Sequence, residues 1–256
     1  MMYKVVVPVS GGKDSQACLK LAVEKFGPCD VLGLFCDTKF EHPDTYRHIK
    51  YIGDLYEVQI HTINEGSVEE KCLKYGRFPG GGARHCTEEL KIVPSKKFYK
   101  ELSENQGGFV VYYGMRSEES HERRERYKDK TSMELYKPHE VITKWPKYLA
   151  DMGVTFCMPI LNWSKQDVFD YLDGEHNPLY DQGFDRVGCF PCLASGDQWK
   201  EKAFNHDETG REHYLKVMQI SERIGKSIFT SKGGCQRNNP DQGNLFDSSG
   251  CGFCEI

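Results

Sequence analysis

The sequence predicts an α/β fold, a doubly wound and mostly parallel sheet, followed by a small cysteine-rich C-terminal lobe. Two observations carry the sheet. The runs Tyr3 to Val9, Val31 to Cys36 and Phe109 to Tyr113 are almost continuously apolar and β-branched or aromatic, as strands buried on both faces must be. Segments of helical period lie between them, giving the βαβ alternation of an open parallel sheet. A third observation sets the boundary. Beyond residue 115 the chain becomes charge-dense, and from Gly183 it becomes rich in glycine and cysteine. The 256 residues suit one large domain or two small ones. We therefore place an α/β domain at 1–160 and the lobe at 161–256.

Each element follows in order. After the first strand, SGGKDS at 10–15 breaks the apolar run, and Ala17, Cys18, Leu21, Ala22 and Lys25 then fall at helical spacing until GlyPro at 27–28 stops them. The strand at 31–36 leads into EHPDTYRHIKYIGDLY, a helix with Pro43 tolerated in its first turn. Val58 to Ile63 reads as a third strand and Glu88 to Glu101 as a helix. Between them GRFPGGGARHC at 76–86 is glycine-rich and is expected to be a mobile loop that a ligand orders. SEESHERRERYKDK is a solvated helix or an anion-binding segment. Ser164 is the expected N-cap of the helix SKQDVFDYL, and Arg211 to Gly225 is also helical.

Composition excludes several classes. Mean hydropathy is −0.62 with 28% charged residues, which leaves no long apolar run and predicts a soluble chain without a membrane span. The N-terminus passes directly into strand-like sequence with no signal peptide pattern, so the expected compartment is the cytoplasm. A formal charge of −4 argues against a uniformly basic nucleic-acid coat. Short basic and aromatic patches, KWPKY at 144–148 and RRERYK at 123–128, leave local contact with DNA open. Eleven cysteines in a reducing compartment read as metal ligands, redox groups or buried thiols.

The chemistry begins at SGGKDS. A glycine turn between a buried strand and a helix presents backbone N–H groups and the positive end of a helix dipole, the setting in which phosphate binds. Gly11 and Gly12 let a ligand approach, Ser10 and Ser15 offer hydroxyls, and Lys13 adds a charge. The spacing is not that of the P-loop. Cys189 and Cys192 form a CxxC that by itself suits zinc, an iron–sulfur cluster or a redox pair. A structural zinc on Cys235, Cys251, Cys254 and one more ligand is a competing reading of the tail.

SGGKDS resembles the pyrophosphate-binding loop of the ATP pyrophosphatase superfamily, whose members split ATP between the α and β phosphates. Further segments extend the resemblance to its phosphoadenosine phosphosulfate reductase-like family: FCDTKFEHPDTYRHI at 35–49, CTEELKIVP at 86–94, GMRSEESHERR at 114–124, and PILNWSKQDVFDYL followed by NPLYDQGFDRVGCFPC within 159–192. The resemblance implies an adenine nucleotide α-hydrolase-like fold and a site for ATP with Mg2+. It places Ser10, Gly11, Gly12, Lys13, Asp14, Ser15, Asp37, Arg116, Glu119, Ser120 and Arg123 on the nucleotide, with Lys13, Asp14, Lys91, Arg116 and Arg123 serving catalysis. Asp37 suits the nucleotide's polar edge, and Asp14 is a candidate magnesium ligand. Cys86, Cys189 and Cys192 match the family's [4Fe–4S] ligand set, but Thr87 stands where the family has a second cysteine. The fourth ligand must then come from Cys72, Cys235, Cys251 or Cys254, of which Cys254 is taken here, or one iron stays open.

The chain is also similar to the ATP pyrophosphatase component of DNA phosphorothioation systems. That similarity implies adenylylation of an acceptor for sulfur transfer, a cysteine desulfurase as sulfur donor, and other phosphorothioation proteins as partners. The alternatives are a sulfonucleotide reductase and an enzyme thiolating tRNA or a small molecule. The tail GCGFCEI lacks the ECGLH-type ending of the reductases.

Overall fold

The computed structural model describes residues 2–80 and 84–229. Cys235, Cys251 and Cys254, and with them the expected cysteine-rich tail, lie outside the described residues.

The elements are β1 (Val5–Val9), α1 (Lys13–Phe26), β2 (Val31–Cys36), α2 (Pro43–Leu55), β3 (Gln59–Ile63), α3 (Val68–Tyr75), α4 (Val93–Gln106), β4 (Val110–Tyr112), α5 (His121–Arg126), β5 (Thr155–Cys157), α6 (Lys165–Leu172), α7 (Asp197–Phe204) and α8 (Glu208–Ile224). The strands form a five-stranded sheet in the order β3-β2-β1-β4-β5, and every pairing is parallel. The chain winds outward from β1 to β3, then crosses to β4 and β5. Its direction reverses between β1 and β4, and such a switch point opens a crevice at the carboxyl ends of the strands.

Strand pleat divides the core in two. Val5, Val7, Val9, Val31, Phe35 and Tyr112 face α1, α2 and α6, meeting Ala17, Ile49, Ile52, Val168 and Leu172. Val6, Leu32, Leu34, Val111 and Phe156 face the other way, toward Tyr99 of α4 and the buried Trp145 and Leu149. Both faces are therefore apolar, which is why these strands carry no polar alternation. The exception is the edge strand β3, whose residues are half-buried or exposed. Beyond β5, Tyr136 exchanges backbone hydrogen bonds with Phe156 and covers that edge.

The C-terminal segment joins this body at three places. α6 packs on α1, capped by Ser164 and Asp167 in a reciprocal capping box. α8 packs on α3 and α7. His42, at the start of α2, accepts the Asp44 N–H on Nδ1 at 3.1 Å, which leaves Nε2 to donate to Asp207 Oδ2 at 2.6 Å, and Asp207 in turn caps α8 through the Gly210 N–H. Among the described residues no helix is long and apolar enough to cross a membrane.

A pH dependence follows from His48 on α2. It is 4% exposed and Nε2 lies 2.8 Å from Gln16 Oε1 on α1. Burial, with a contribution from His176, lowers its pKa from 6.5 to about 4. The unfolded chain takes up the proton first, so stability is complete above pH 6.5 and declines as pH falls toward about 4. The expected loss across that window is about 3 kcal/mol. Urea unfolding at neutral and mildly acidic pH measures it, and His48→Gln should flatten the profile.

Candidate active site

The loop after β1 is built by its own side chains. Gly11 has φ +78°, and a Cβ there would stand 2.6 Å from Thr45 Cγ2 on α2, so only glycine fits this turn. Ser15 Oγ accepts the Ser10 N–H at 3.1 Å and donates to the Gly12 carbonyl at 2.9 Å. Ser10 Oγ accepts the Gly12 N–H at 3.3 Å. α1 starts at Lys13 with no side-chain cap at Gly12.

The charged groups converge on one carboxylate. Asp14, 1% exposed, accepts from Lys13 Nζ at 2.7 Å and from Arg116 Nε. Burial would raise the Asp14 pKa, but the Lys13 ammonium and the Arg116 guanidinium outweigh it and hold the carboxyl below its usual range. Arg116 arrives from the carboxyl end of β4, with Gly114 pressed on the backbone of α1: a Cβ there would lie 3.2 Å from the Asp14 carbonyl carbon and the Ser15 nitrogen. Arg116 also donates to Glu118 Oε2 at 2.9 Å. Two cations that would repel one another are thus kept side by side at the helix start by one shared anion.

Removing that anion tests the arrangement. Asp14→Asn leaves two buried cations without their shared partner and is expected to cost about 3 kcal/mol. Added pyrophosphate should restore the melting temperature more than it raises that of the wild type. A variant that melts like the wild type in both conditions would show that the carboxylate does not hold these cations together.

The structure disperses some expected residues. Asp37, at the end of β2, accepts from the Lys39 N–H and the Tyr46 hydroxyl, both at 2.8 Å. Arg123 on α5 is 2% exposed and pairs with Glu119 of the preceding turn, while Ser120 caps α5 by accepting the Arg123 N–H at 3.1 Å. These three residues form a unit of their own, set on the same loop as Arg116. Lys91 sits in a π-helical turn, Glu88–Ile92, that leads into α4, a local widening often found at functional sites. Burial opposes its charge, but Cys189, Glu41, Cys36 and Cys86 around it hold its pKa above the usual range.

Lys91 therefore marks a second centre rather than the loop itself. Cys86 lies in the turn His85–Thr87, and Cys189 bridges Glu41 backbone to backbone, with Sγ 3.3 Å from Thr38 Oγ1. Cys86 and Cys192 are within electrostatic reach of one another, as are Cys189 and Cys192. His85 points elsewhere, stacking on Tyr75 at 4.7 Å. Among the described residues no three His, Cys, Asp or Glu side chains are drawn together tightly enough to hold a single metal ion.

Two site residues were not singled out in the sequence. Tyr180 OH accepts the Lys13 N–H at 3.0 Å, and its ring lies 5.5 Å from Lys13 Nζ. Asn177, fully buried, donates to the Gly11 carbonyl at 3.3 Å. Both belong to the NPLYDQG run that precedes the CxxC, whose presence was legible but whose contact with a loop more than a hundred residues away was not.

The chain is similar to several known proteins. A protein of Methanocaldococcus jannaschii is 31% identical over 74% of this chain, and the chain spans 36% of that relative's length. The nin region protein ORF290 of Escherichia phage lambda is 28% identical, covering 98% of this chain and 94% of its own. Among solved structures, phosphoadenylyl-sulfate reductase from Candida auris matches with TM-score 0.49 and 19% identity, over 74% of this chain and 83% of the other. The phosphoadenosine phosphosulfate reductase domain model matches residues 4–195, and the chain belongs to that family.

Proposed function

We propose that this protein is a cytoplasmic ATP pyrophosphatase that adenylylates an acceptor for sulfur transfer, and that the acceptor is a DNA backbone phosphate. A cysteine desulfurase would supply the sulfur, alongside other proteins of a phosphorothioation system. One observation carries the reading: Lys13 and Arg116 are both held on buried Asp14 at the start of α1. Breaking ATP at the α phosphorus expels pyrophosphate, so charge accumulates on the β and γ groups. Fixed cations and helix N–H groups in a water-poor crevice stabilise that charge most effectively.

The acceptor oxygen forms a bond to the α phosphorus as the bond to pyrophosphate breaks. Lys13 and Arg116 exchange Asp14 for the departing phosphate oxygens, and the Ser10 and Ser15 hydroxyls become available as donors. A sulfur nucleophile then attacks the adenylylated centre and AMP leaves. Magnesium, when bound, would screen the phosphate charge, and Asp14 is the carboxylate placed to meet it. Cys86, Cys189 and Cys192 offer soft donors for a [4Fe–4S] cluster beside Lys91, whose charge offsets that of thiolates; such a cluster would supply a site for sulfide.

The family name favours a second reading, a sulfonucleotide reductase. That chemistry has no need of a paired-cation cradle for a β,γ-diphosphate. The test is direct. Protein with Mg2+ and α-labelled ATP should yield AMP and pyrophosphate, faster with a DNA acceptor than with tRNA. Sulfite release from adenosine phosphosulfate without ATP cleavage would instead establish the reductase.

A further inference from the structure

Resting on the cluster reading above, we infer that Cys72 supplies the fourth thiolate, in place of the cysteine that Thr87 replaces. Cys72 lies on α3, which packs against the turn carrying Cys86. Its side chain is fully buried, in one apolar cluster with Phe40, Leu90, Cys86 and Cys189. Cys72 and Cys86 are within electrostatic reach of one another, as are Cys86 and Cys192 and Cys192 and Cys189.

The chemistry of the four donors agrees. Thiolates are the donors iron–sulfur clusters select, and the Thr87 hydroxyl is a poor substitute. A cluster of several irons spans a wider gap than one ion, so its thiolates need share only a neighbourhood, as Cys72, Cys86 and Cys189 do. Lys91, buried among Cys189, Cys86, Cys36 and Glu41, offsets the negative charge that four thiolates bring. α3 is also a rigid support: Ser67 and Glu70 close a reciprocal capping box at its start and Gly76 in the left-handed region closes its end, and sites on rigid elements hold ligand geometry best.

The experiment uses the full chain, purified without oxygen, with iron, zinc and acid-labile sulfide measured alongside the sulfur-to-iron absorption band and paramagnetic resonance after mild oxidation. Cys72→Ala should lower iron from about four to about three or fewer per chain and change the resonance signal. Cys254→Ser should leave both unchanged. In the Cys72→Ala background, Thr87→Cys should restore the iron, since it returns a thiolate beside Cys86. The metal-free forms of Cys72→Ala and wild type should have the same circular dichroism, with the melting temperature of the variant lowered only by the lost buried sulfur. A Cys72→Ala protein with its full iron, a Cys254→Ser protein that loses it, or a depleted Cys72→Ala protein that Thr87→Cys does not rescue, would each overturn the assignment. Wild-type protein carrying zinc or no metal would defeat the cluster reading itself, and this assignment with it.

Discussion

Lys13→Ala is expected to lower ATP cleavage by about 10³-fold while leaving the fold intact, and Lys13→Glu to abolish it. The size of the effect comes from where the ammonium sits. Its side chain is 5% exposed, flanked by the Phe169 and Tyr180 rings at 5.9 and 5.5 Å, so neither bulk water nor mobile ions can replace it when charge builds on the leaving group. The fold survives alanine because Asp14 keeps its second partner, Arg116. Release of AMP from α-labelled ATP, with circular dichroism as the control, measures both. Turnover within tenfold of wild type would remove the loop from catalysis.

Gly210→Ala should have the largest effect on stability. In the first turn of α8 a Cβ would fall 2.1 Å from the Ala203 carbonyl oxygen and 3.1 Å from that of Phe204. Both atoms are backbone, so α7 and α8 must separate, at about 3 kcal/mol or more. The consequence reaches the thiols. α8 carries His213, whose Nδ1 contacts the Phe190 carbonyl and whose ring stacks on Phe40 at 4.2 Å. Hydrogen exchange should therefore accelerate between Cys189 and Leu193, while β1 and β2 remain protected. Equal protection throughout would show that the helix pair does not hold the CxxC in place.

The doubly wound sheet was legible because buried parallel strands leave continuous apolar runs, and β1, β2 and β4 do. β5 was not, since only Thr155–Cys157 pair there and three residues carry no period. The helix α3, as long as α6, was also not read from the sequence. The helix expected from Glu88 starts as a π-helical turn before α4, a change of winding that leaves no mark in composition. At the site, Lys13 and Arg116 both contact Asp14 in the structure, and the family resemblance put these three residues on one nucleotide. It did not anticipate that Lys91 would join Cys86 and Cys189, since that meeting depends on how the chain after β5 folds back over Phe40 and Glu41.

The bond from His42 to Asp207 has a mechanical meaning. Each partner terminates a helix, so a displacement of α8 would fray two helix starts at once. The first turn of α2 carries Thr45 as well as His42, and Thr45 is what leans on Gly11. Any tug on the cysteine-bearing side is thereby relayed, through one imidazole and one methyl group, to the Gly11 turn, and the two halves of the molecule would move in step.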